Sequence, residues 1–378
     1  MKRILVVATT SFTGMGHYDC EVVNNFNAGD NIYFLFHDYE DDYFKKNVKA
    51  ELHAKSFFAK HSNSKWNKLY NLFFNRFPYD GKIIELCKEK HINLVHYIDH
   101  CPSVRMQKKI EKMGISILTT VHDLHPHDAK KAWYKMIRHY VREYRRHKDV
   151  AYAKHLLTNC QDQYDELKDM FPQKTVDYHA FPTLISEKIA KGGTVVPELK
   201  GLNKPYILFF GRIEEYKGIK YLYQAFVEND DLNENNFLVI AGTGSLGFKR
   251  VDSEKNVLFL NRYIKDDEIR NLYESAACVV YPYISATQSG VLSVAFYFRT
   301  PTIASNIPFF NRIMSPFNAG VLFEKGNVKD LTLKLREILK MDVSELKSNE
   351  SLCYETLYNN DSLRQRLLEI YQRVLELK

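Results

Sequence analysis

Arg212 and Lys217 stand five residues apart, just past an apolar run, in Phe209-Phe210-Gly211-Arg212-Ile213-Glu214-Glu215-Tyr216-Lys217-Gly218-Ile219. Arginine offers a planar fork for phosphate oxygens and lysine a compact point charge. Together they could neutralise a pyrophosphate leaving group as negative charge develops on it. The bland alternative is a solvated loop whose cations pair with Glu214 and Glu215. Further on, Val239-Ile240-Ala241-Gly242-Thr243-Gly244 runs an apolar stretch into a turn. Gly242 and Gly244 permit tight turning and close backbone approach to a ligand, though a plain strand-to-helix turn has the same look. In the segment Pro282 to Val291, Thr287 or Ser289 is a candidate N-cap for an apolar helix reaching Phe298. Amides around Gln288, Ser289, Gly290 and Val291 would then point out of a helix N-terminus, a geometry that attracts phosphate; an ordinary capped core helix reads the same way.

The first half holds two further groups. Thr13-Gly14-Met15-Gly16-His17 places two glycines in a strand-to-helix loop. Val121-His122-Asp123-Leu124-His125-Pro126-His127-Asp128 gathers three histidines and two aspartates at the end of an apolar run. Such a cluster can bind metal, move protons or recognise phosphate, and at least one of its histidines can equally be a hydrogen-bonded structural residue.

These loops need a scaffold, and the pattern of the chain supplies one. In the first half the expected strands are 4–8, 32–36, 94–98, 115–121, 156–158 and 176–181, with helical stretches between them. Their nearly continuous apolar runs suit parallel strands covered on both faces. After a Gly- and Pro-containing linker at 183–205 the pattern restarts with 206–210, 237–241, 257–260, 278–281, 302–304 and 321–323. Alternation of strand and helix indicates two doubly wound α/β domains, 1–182 and 206–342, with ligands expected at the carboxyl ends of the strands in the cleft between them. A helical segment, 343–378, follows. The 378 residues suffice for two such cores, and the 45% hydrophobic content excludes a disordered chain. The start reads as a buried strand rather than a signal peptide, and no apolar run approaches the roughly 18–20 residues of a membrane span. Six scattered cysteines without a Cys-x-x-Cys pair point to reduced, buried thiols in a cytoplasmic protein, with neither zinc nor disulfides.

In order and spacing, Gly-Arg-x-x-x-x-Lys-Gly, Gly-Thr-Gly, the 282–291 loop and Thr300-Pro301-Thr302-Ile303-Ala304-Ser305 resemble the donor half of GT-B glycosyltransferases of family 4, over Tyr206 to Phe323. The resemblance implies two Rossmann-like domains facing each other across a cleft, with a C-terminal helix returning to the first. It implies that Arg212 and Lys217 hold the donor diphosphate, that amides near Gln288, Ser289, Gly290 and Val291 contact it, that Gly211, Gly242, Gly244 and Thr287 also belong to the donor site, and that residues around Tyr263 line the nucleobase pocket. Gly14 and Gly16 would let donor or acceptor approach the backbone. His122 and Asp123 would lie beside the transferred sugar as catalytic residues with Arg212 and Lys217, and His17, His125 and His127 on the acceptor side. The family's two glutamates, eight positions apart, fall here on Ala286 and Val294, neither of which can bind a hydroxyl; Gln288, in Thr-Gln-Ser-Gly-Val, is the polar residue left in that loop. With no Asp-x-Asp motif, the resemblance implies a retaining transfer that needs no metal, from a nucleotide sugar to a saccharide or lipid-linked saccharide in surface polysaccharide or glycolipid assembly. A nucleotide-sugar epimerase of the same fold, and a non-catalytic binding subunit, are the alternatives.

The formal charge of +7 is concentrated. Residues 129–148 carry eight bases against one acid, and 55–76 carry five bases and no acid, both with interleaved aromatics. As basic amphipathic helices they suit docking on the inner face of an anionic membrane, at about 1 kcal/mol per base. A solvated face is the alternative; no nucleic-acid module accompanies the charge.

Overall fold

The computed structural model describes residues 2–11, 13–38, 42–60, 77–122, 124, 133–358 and 360–377. The chain divides into two compact units, Met1–Pro182 with Asn360–Lys378, and Thr183–Asn359. Among the described residues no helix is long and apolar enough to cross a membrane, and all six cysteines are free thiols.

The first unit is a seven-stranded sheet of β1 (Ile4–Ala8), β2 (Ile32–Asp38), β3 (Ser56–Lys60), β4 (Leu94–Tyr97), β5 (Ser116–Thr120), β6 (His155–Thr158) and β7 (Thr175–Tyr178), in the order β3-β2-β1-β4-β5-β6-β7. All its pairings are parallel, with Ile4 opposite both Ile32 and Leu94. β1 shows why the run is apolar throughout. Ile4, Val6 and Ala8 join one core and Leu5 and Val7 the other, so no position is left for a polar side chain.

β3 was not anticipated. Ser56-Phe57-Phe58-Ala59-Lys60 belongs to the basic 55–76 segment expected to be an amphipathic helix, yet it pairs with β2 at the sheet edge. Phe58 stacks on Phe36 at 5.3 Å and Phe57 packs on the opposite core. These rings serve the sheet; residues 61–76 lie outside the described ones. The other basic segment contains the helix Trp133–Tyr152, whose Tyr140 and Tyr144 are 74% and 62% exposed; 129–132 again lie outside.

The second unit has six strands, β8 (Tyr206–Phe210), β9 (Phe237–Gly242), β10 (Val257–Asn261), β11 (Cys278–Tyr281), β12 (Thr302–Ser305) and β13 (Val321–Phe323), ordered β10-β9-β8-β11-β12-β13 and all parallel. Each unit thus reverses strand order once, at β1/β4 and at β8/β11. That switch point, at the carboxyl ends, is where open α/β sheets bind ligands.

The stretch expected to link the units packs on the second one: Thr183 Oγ1 lies 3.0 Å from Tyr354 Oη, Leu184 N–H donates to Ser293 Oγ at 3.1 Å, and Val196 is buried. The terminal helical stretch, expected to return whole to the first domain, divides instead. Helix Ser344–Leu357 packs within the second unit, where Tyr354 meets Tyr297 edge-on at 5.2 Å. Only Asn360–Glu376 joins the first: Leu367, Ile370 and Val374 enter its core, Arg364 forks onto Asp30, and Arg373 donates to Asp177 at 2.6 Å. Amphipathic periodicity specifies a buried face but not which core receives it.

Candidate functional site

At the β8/β11 switch point three loops are joined through their backbones. Gly211 N–H donates to Ala241 O at 3.0 Å, Ile213 N–H to Thr243 O at 2.9 Å and Ser245 N–H to Ile213 O at 3.1 Å, so the chain after β8 continues as a short parallel ladder beside Gly242–Gly244. On its other side Ile284 N–H donates to Tyr216 O at 2.8 Å. Glycine makes this possible. At Gly242, with φ 144°, a β-carbon would collide with the Gly211 carbonyl; at Gly218, with φ 64°, it would collide with the Pro282 carbonyl. At both positions the close backbone approach that glycine allows is made to a neighbouring loop of the chain.

The ladder sets the side chains. Residues 212–214 are extended, so Ile213 points inward and is buried while Arg212 and Glu214 share the outer face. There the guanidinium of Arg212 meets Glu214 at 2.5 Å, with side chains 56% and 31% exposed. The pairing considered for both cations therefore holds for one. Lys217, a half-buried residue, ends a 3₁₀ turn, Glu215–Lys217, and its ammonium lies 3.8 Å from the ring centre of Tyr283 and 4.9 Å from that of Tyr216. Desolvation lowers its pKa, against the opposing influence of Tyr216 and Glu214. Tyr216 and Tyr283, which pack against Lys217, were missed by spacing alone; Tyr283 is buried 66 positions further along the chain.

The 282–291 loop differs from its expected form. The N-cap of helix Val291–Tyr297 is Gly290, without a side-chain cap, rather than Thr287 or Ser289. Ser289 Oγ lies 3.2 Å from Tyr283 Oη instead, which ties this loop to the ring beneath Lys217. Gln288 Oε1 is buried and has no hydrogen-bond partner, while Val294 is buried in the core. Tyr263, just beyond β10, is 61% exposed, and its hydroxyl donates to Asp266 at 3.2 Å.

The first unit's switch point is differently furnished. Gly14, Gly16 and His17 lie in the first turns of helix Thr13–Asn24 rather than in a loop. A β-carbon on Gly16 would come within 3.0 Å of the Ser11 carbonyl group and 2.9 Å of the Tyr43 ring, so this glycine lets the helix close on its own approach. His17 meets Tyr43 edge-on at 6.0 Å. Asp123, His125 and His127 lie outside the described residues.

His122, expected beside the transferred sugar, is a hydrogen-bonded core residue. Its Nε2 lies 2.6 Å from Ile98 O, and a carbonyl only accepts, so Nε2 carries the proton. Nδ1 then accepts from Asn159 Nδ2 at 3.2 Å, and the ring packs edge-on against Tyr18 at 4.7 Å.

Spacing also missed a cluster at the ends of β1 and β4. The buried Asp99 carboxylate accepts from Thr9 N–H at 2.7 Å and Thr9 Oγ1 at 2.8 Å, and from His100 Nδ1 at 2.7 Å. Burial acts to raise its pKa, but His100 and these bonds outweigh that and hold it at about 2. His100 Nε2 in turn lies 3.0 Å from Tyr79 Oη. Asp19 is wholly buried nearby, and desolvation and Asp99 push its pKa well up against the backbone of Thr10. The signal was Asp99-His100 directly after an apolar strand. Among the described residues no group of three or more His, Cys, Asp or Glu could hold a metal ion.

Comparison with known proteins agrees with this layout. Residues 196–352 match the family model of Glycosyl transferases group 1, a span inside the second unit. No curated protein is significantly similar in sequence. Sucrose-phosphate synthase from Thermosynechococcus elongatus has the same fold, with 16% identity, complete coverage of both chains and a TM-score of 0.69. HepE of Anabaena, solved with UDP and glucose, gives 14% identity over 99% of this chain and 100% of its own, also at 0.69. A Rickettsia africae glycosyltransferase gives 14% identity over 100% and 99%, at 0.68. The fold is GT-B, two Rossmann-like parallel-sheet units. With a Glycosyl transferases group 1 domain in its second unit, the chain is a glycosyltransferase.

Proposed function

We propose that the second unit binds a nucleotide sugar and that the enzyme transfers its sugar, with retention, to a saccharide or lipid-linked saccharide acceptor held by the first unit, in surface polysaccharide or glycolipid assembly. The observation that carries this reading is the pair of cations at the β8/β11 switch point, Arg212 on the outer face and Lys217 over two rings, beside the 288–291 loop. Two fixed cations at that position suit a diphosphate and offset the charge that builds on it as the glycosidic bond breaks. Gln288 Oε1, buried and unpartnered, takes a donor hydroxyl where Ala286 and Val294 cannot. Tyr263 offers an exposed ring to the base. The binding of UDP and glucose by HepE favours a uridine nucleotide as the first donor to try.

A thermal-shift screen of nucleotide sugars tests the reading, followed by release of nucleoside diphosphate with an acceptor present. Stabilisation by a nucleotide sugar that disappears in Arg212→Ala is the expected result; no stabilisation by any of them would sink it. Binding without turnover would favour a non-catalytic subunit, a reading to which the apolar Ala286 and Val294 lend weight.

Membrane contact is part of the same proposal. The helix Trp133–Tyr152 exposes Tyr140 and Tyr144 in a strongly basic stretch, a composition suited to an anionic surface. Sedimentation with anionic liposomes should fall as salt rises; sedimentation indifferent to lipid charge would end this part.

A further inference from the structure

The anion site of the second unit contains an anion of its own. Glu214 shares the outer face of the 212–214 ladder with Arg212, and its Oε1 meets the guanidinium Nη2 at 2.5 Å. It also acts electrostatically on Lys217, where its charge opposes the effects of desolvation and of Arg212. Glu215, one residue on, is exposed, and neither Arg212 nor Lys217 is paired with it in a described salt bridge. The register explains the difference. Ile213 is held inward by its bridge to Gly244, so positions 212 and 214 must face the same way, and the turn that begins at Glu215 carries the next carboxylate off that face.

We infer that Glu214 is an internal counter-ion that occupies the Arg212 fork in the empty site, must yield it to the donor diphosphate, and speeds release of the nucleoside diphosphate product. The inference rests on the donor site proposed above. Its logic is charge. In a nucleotide sugar the sugar esterifies the terminal phosphate. Once that bond breaks, the nucleoside diphosphate carries about one more negative charge near neutral pH. A fixed carboxylate beside both cations repels the product more than the substrate, and its return to Arg212 displaces the departing anion. Glu214 is therefore a positioning and specificity residue; it need not touch a reacting atom.

The test compares wild type with Glu214→Gln, Arg212→Ala and the double variant, measuring affinities for UDP, UDP-glucose and inorganic pyrophosphate by calorimetry at low ionic strength. A half-exposed ion pair supports only a modest effect, so Glu214→Gln should tighten UDP and pyrophosphate about two- to fivefold and UDP-glucose less. The ratio of UDP to UDP-glucose affinity should rise, and steady-state inhibition by UDP should strengthen in step. In the Arg212→Ala background the added Gln should change the ratio little. Glu214→Asp should keep the wild-type ratio. An unchanged or reduced UDP to UDP-glucose ratio in Glu214→Gln overturns the inference, because a merely structural glutamate would weaken all three ligands alike. Undiminished pyrophosphate and UDP affinity in Arg212→Ala would instead overturn the donor site itself, so the two failures are separable.

Discussion

The two units share a topology and differ in what stands at the ends of their central strands. Both reverse strand order once beside their first strand. In the second unit, glycines let three loops lock together by backbone alone, which leaves Arg212 exposed on the outer face and Lys217 set over the rings of Tyr216 and Tyr283. In the first unit, side chains do the locking. Asp99, Thr9, His100 and Tyr79 satisfy one another, and His122 is held between Ile98 and Asn159. Deeper in the same unit, Tyr18 Oη meets His179 Nε2 at 3.2 Å, and His96 sits between Tyr371 and Thr120. A loop fastened by backbone can spend its side chains on a ligand, whereas a loop fastened by side chains has few left. The same fold thus carries a charge-presenting surface in one unit and a closed polar network in the other.

The largest effects should come from the backbone fastening. At Gly218 a β-carbon costs roughly 1–2 kcal/mol for the left-handed backbone and typically 1–3 more for crowding a fixed carbonyl. Gly218→Ala and Gly242→Ala should therefore lower Tm by about 5–15 °C and reduce donor use more than about a hundredfold. Gly16→Ala, in the first unit, crowds Ser11 and Tyr43 but regains about 0.5–1 kcal/mol of helix propensity, so its Tm should move by a few degrees at most. Equal damage from Gly16→Ala and Gly218→Ala, read by calorimetric melting, would erase the distinction drawn between the units.

Each unit also buries a carboxylate, and the two titrate in opposite directions. Asp99 is held at about 2, below the ordinary 3.8, so its contribution to stability is present above pH 3.8 and is lost as pH falls through about 2. Glu350, in helix Ser344–Leu357, accepts from Thr302 N–H at 2.9 Å, while its Oε2 is buried without a partner. Burial pushes it from 4.5 to about 8, against the bonds from Thr302. Between those values the folded protein keeps a proton that the unfolded chain has shed. Its stabilisation is full below pH 4.5 and is lost as pH rises through about 8, at up to about 1.4 kcal/mol per pH unit. Glu350→Gln keeps the acceptor and mimics the neutral acid. Melting curves from pH 5 to 8 should therefore decline less steeply in the variant, by a few kcal/mol over that range. Parallel curves would show that Glu350 keeps no proton in the fold.

Removing the presented charges comes next. Arg212→Ala or Lys217→Ala each deletes charge-assisted contacts worth roughly 1.5–3 kcal/mol, hence about a ten- to hundredfold loss of kcat/KM for donor. Folding should be little affected, because Arg212 is exposed and Lys217 is held by ring contacts rather than a buried ion pair. Full donor use in the double variant would leave the second unit's surface without a role.

The contrast also explains what could be read from the amino-acid order. Apolar runs covered on both faces announce parallel strands, and nine of the ten strand bounds that differ from expectation do so by a residue or two; the exception, the end of β7, stops at Tyr178 where 181 was expected. The loop after β8 was legible because glycine spacing and cation spacing lie within one short stretch, Gly211 to Gly218. The ring under Lys217 was not, since Tyr283 comes from the next strand of the sheet. The network of the first unit was less legible still. Thr9 and Asp99 are 90 positions apart and meet only because β1 and β4 are neighbours. β3 was hidden because Lys55 and Lys60 bracket its aromatic core and gave it the look of a basic surface.

His122 provides the smallest and most discriminating test. Its cluster with Asp123, His125 and His127 reads as chemistry, but its ring has a donor and an acceptor both engaged with buried groups. Truncation to Ala leaves the Ile98 carbonyl and the Asn159 amide without this partner, at about 1–3 kcal/mol for an unsatisfied buried group, a Tm lower by roughly 2–10 °C. At a temperature well below that transition the variant should retain kcat within a few fold, because the imidazole has no nitrogen left for substrate. Glutamine, able to donate and accept at different reach, should recover part of the stability. A His122→Ala protein that melts like wild type yet has lost turnover would reverse this reading: the imidazole would then exchange its internal partners for substrate, and the first unit, like the second, would be holding its chemistry in reserve behind a contact with itself.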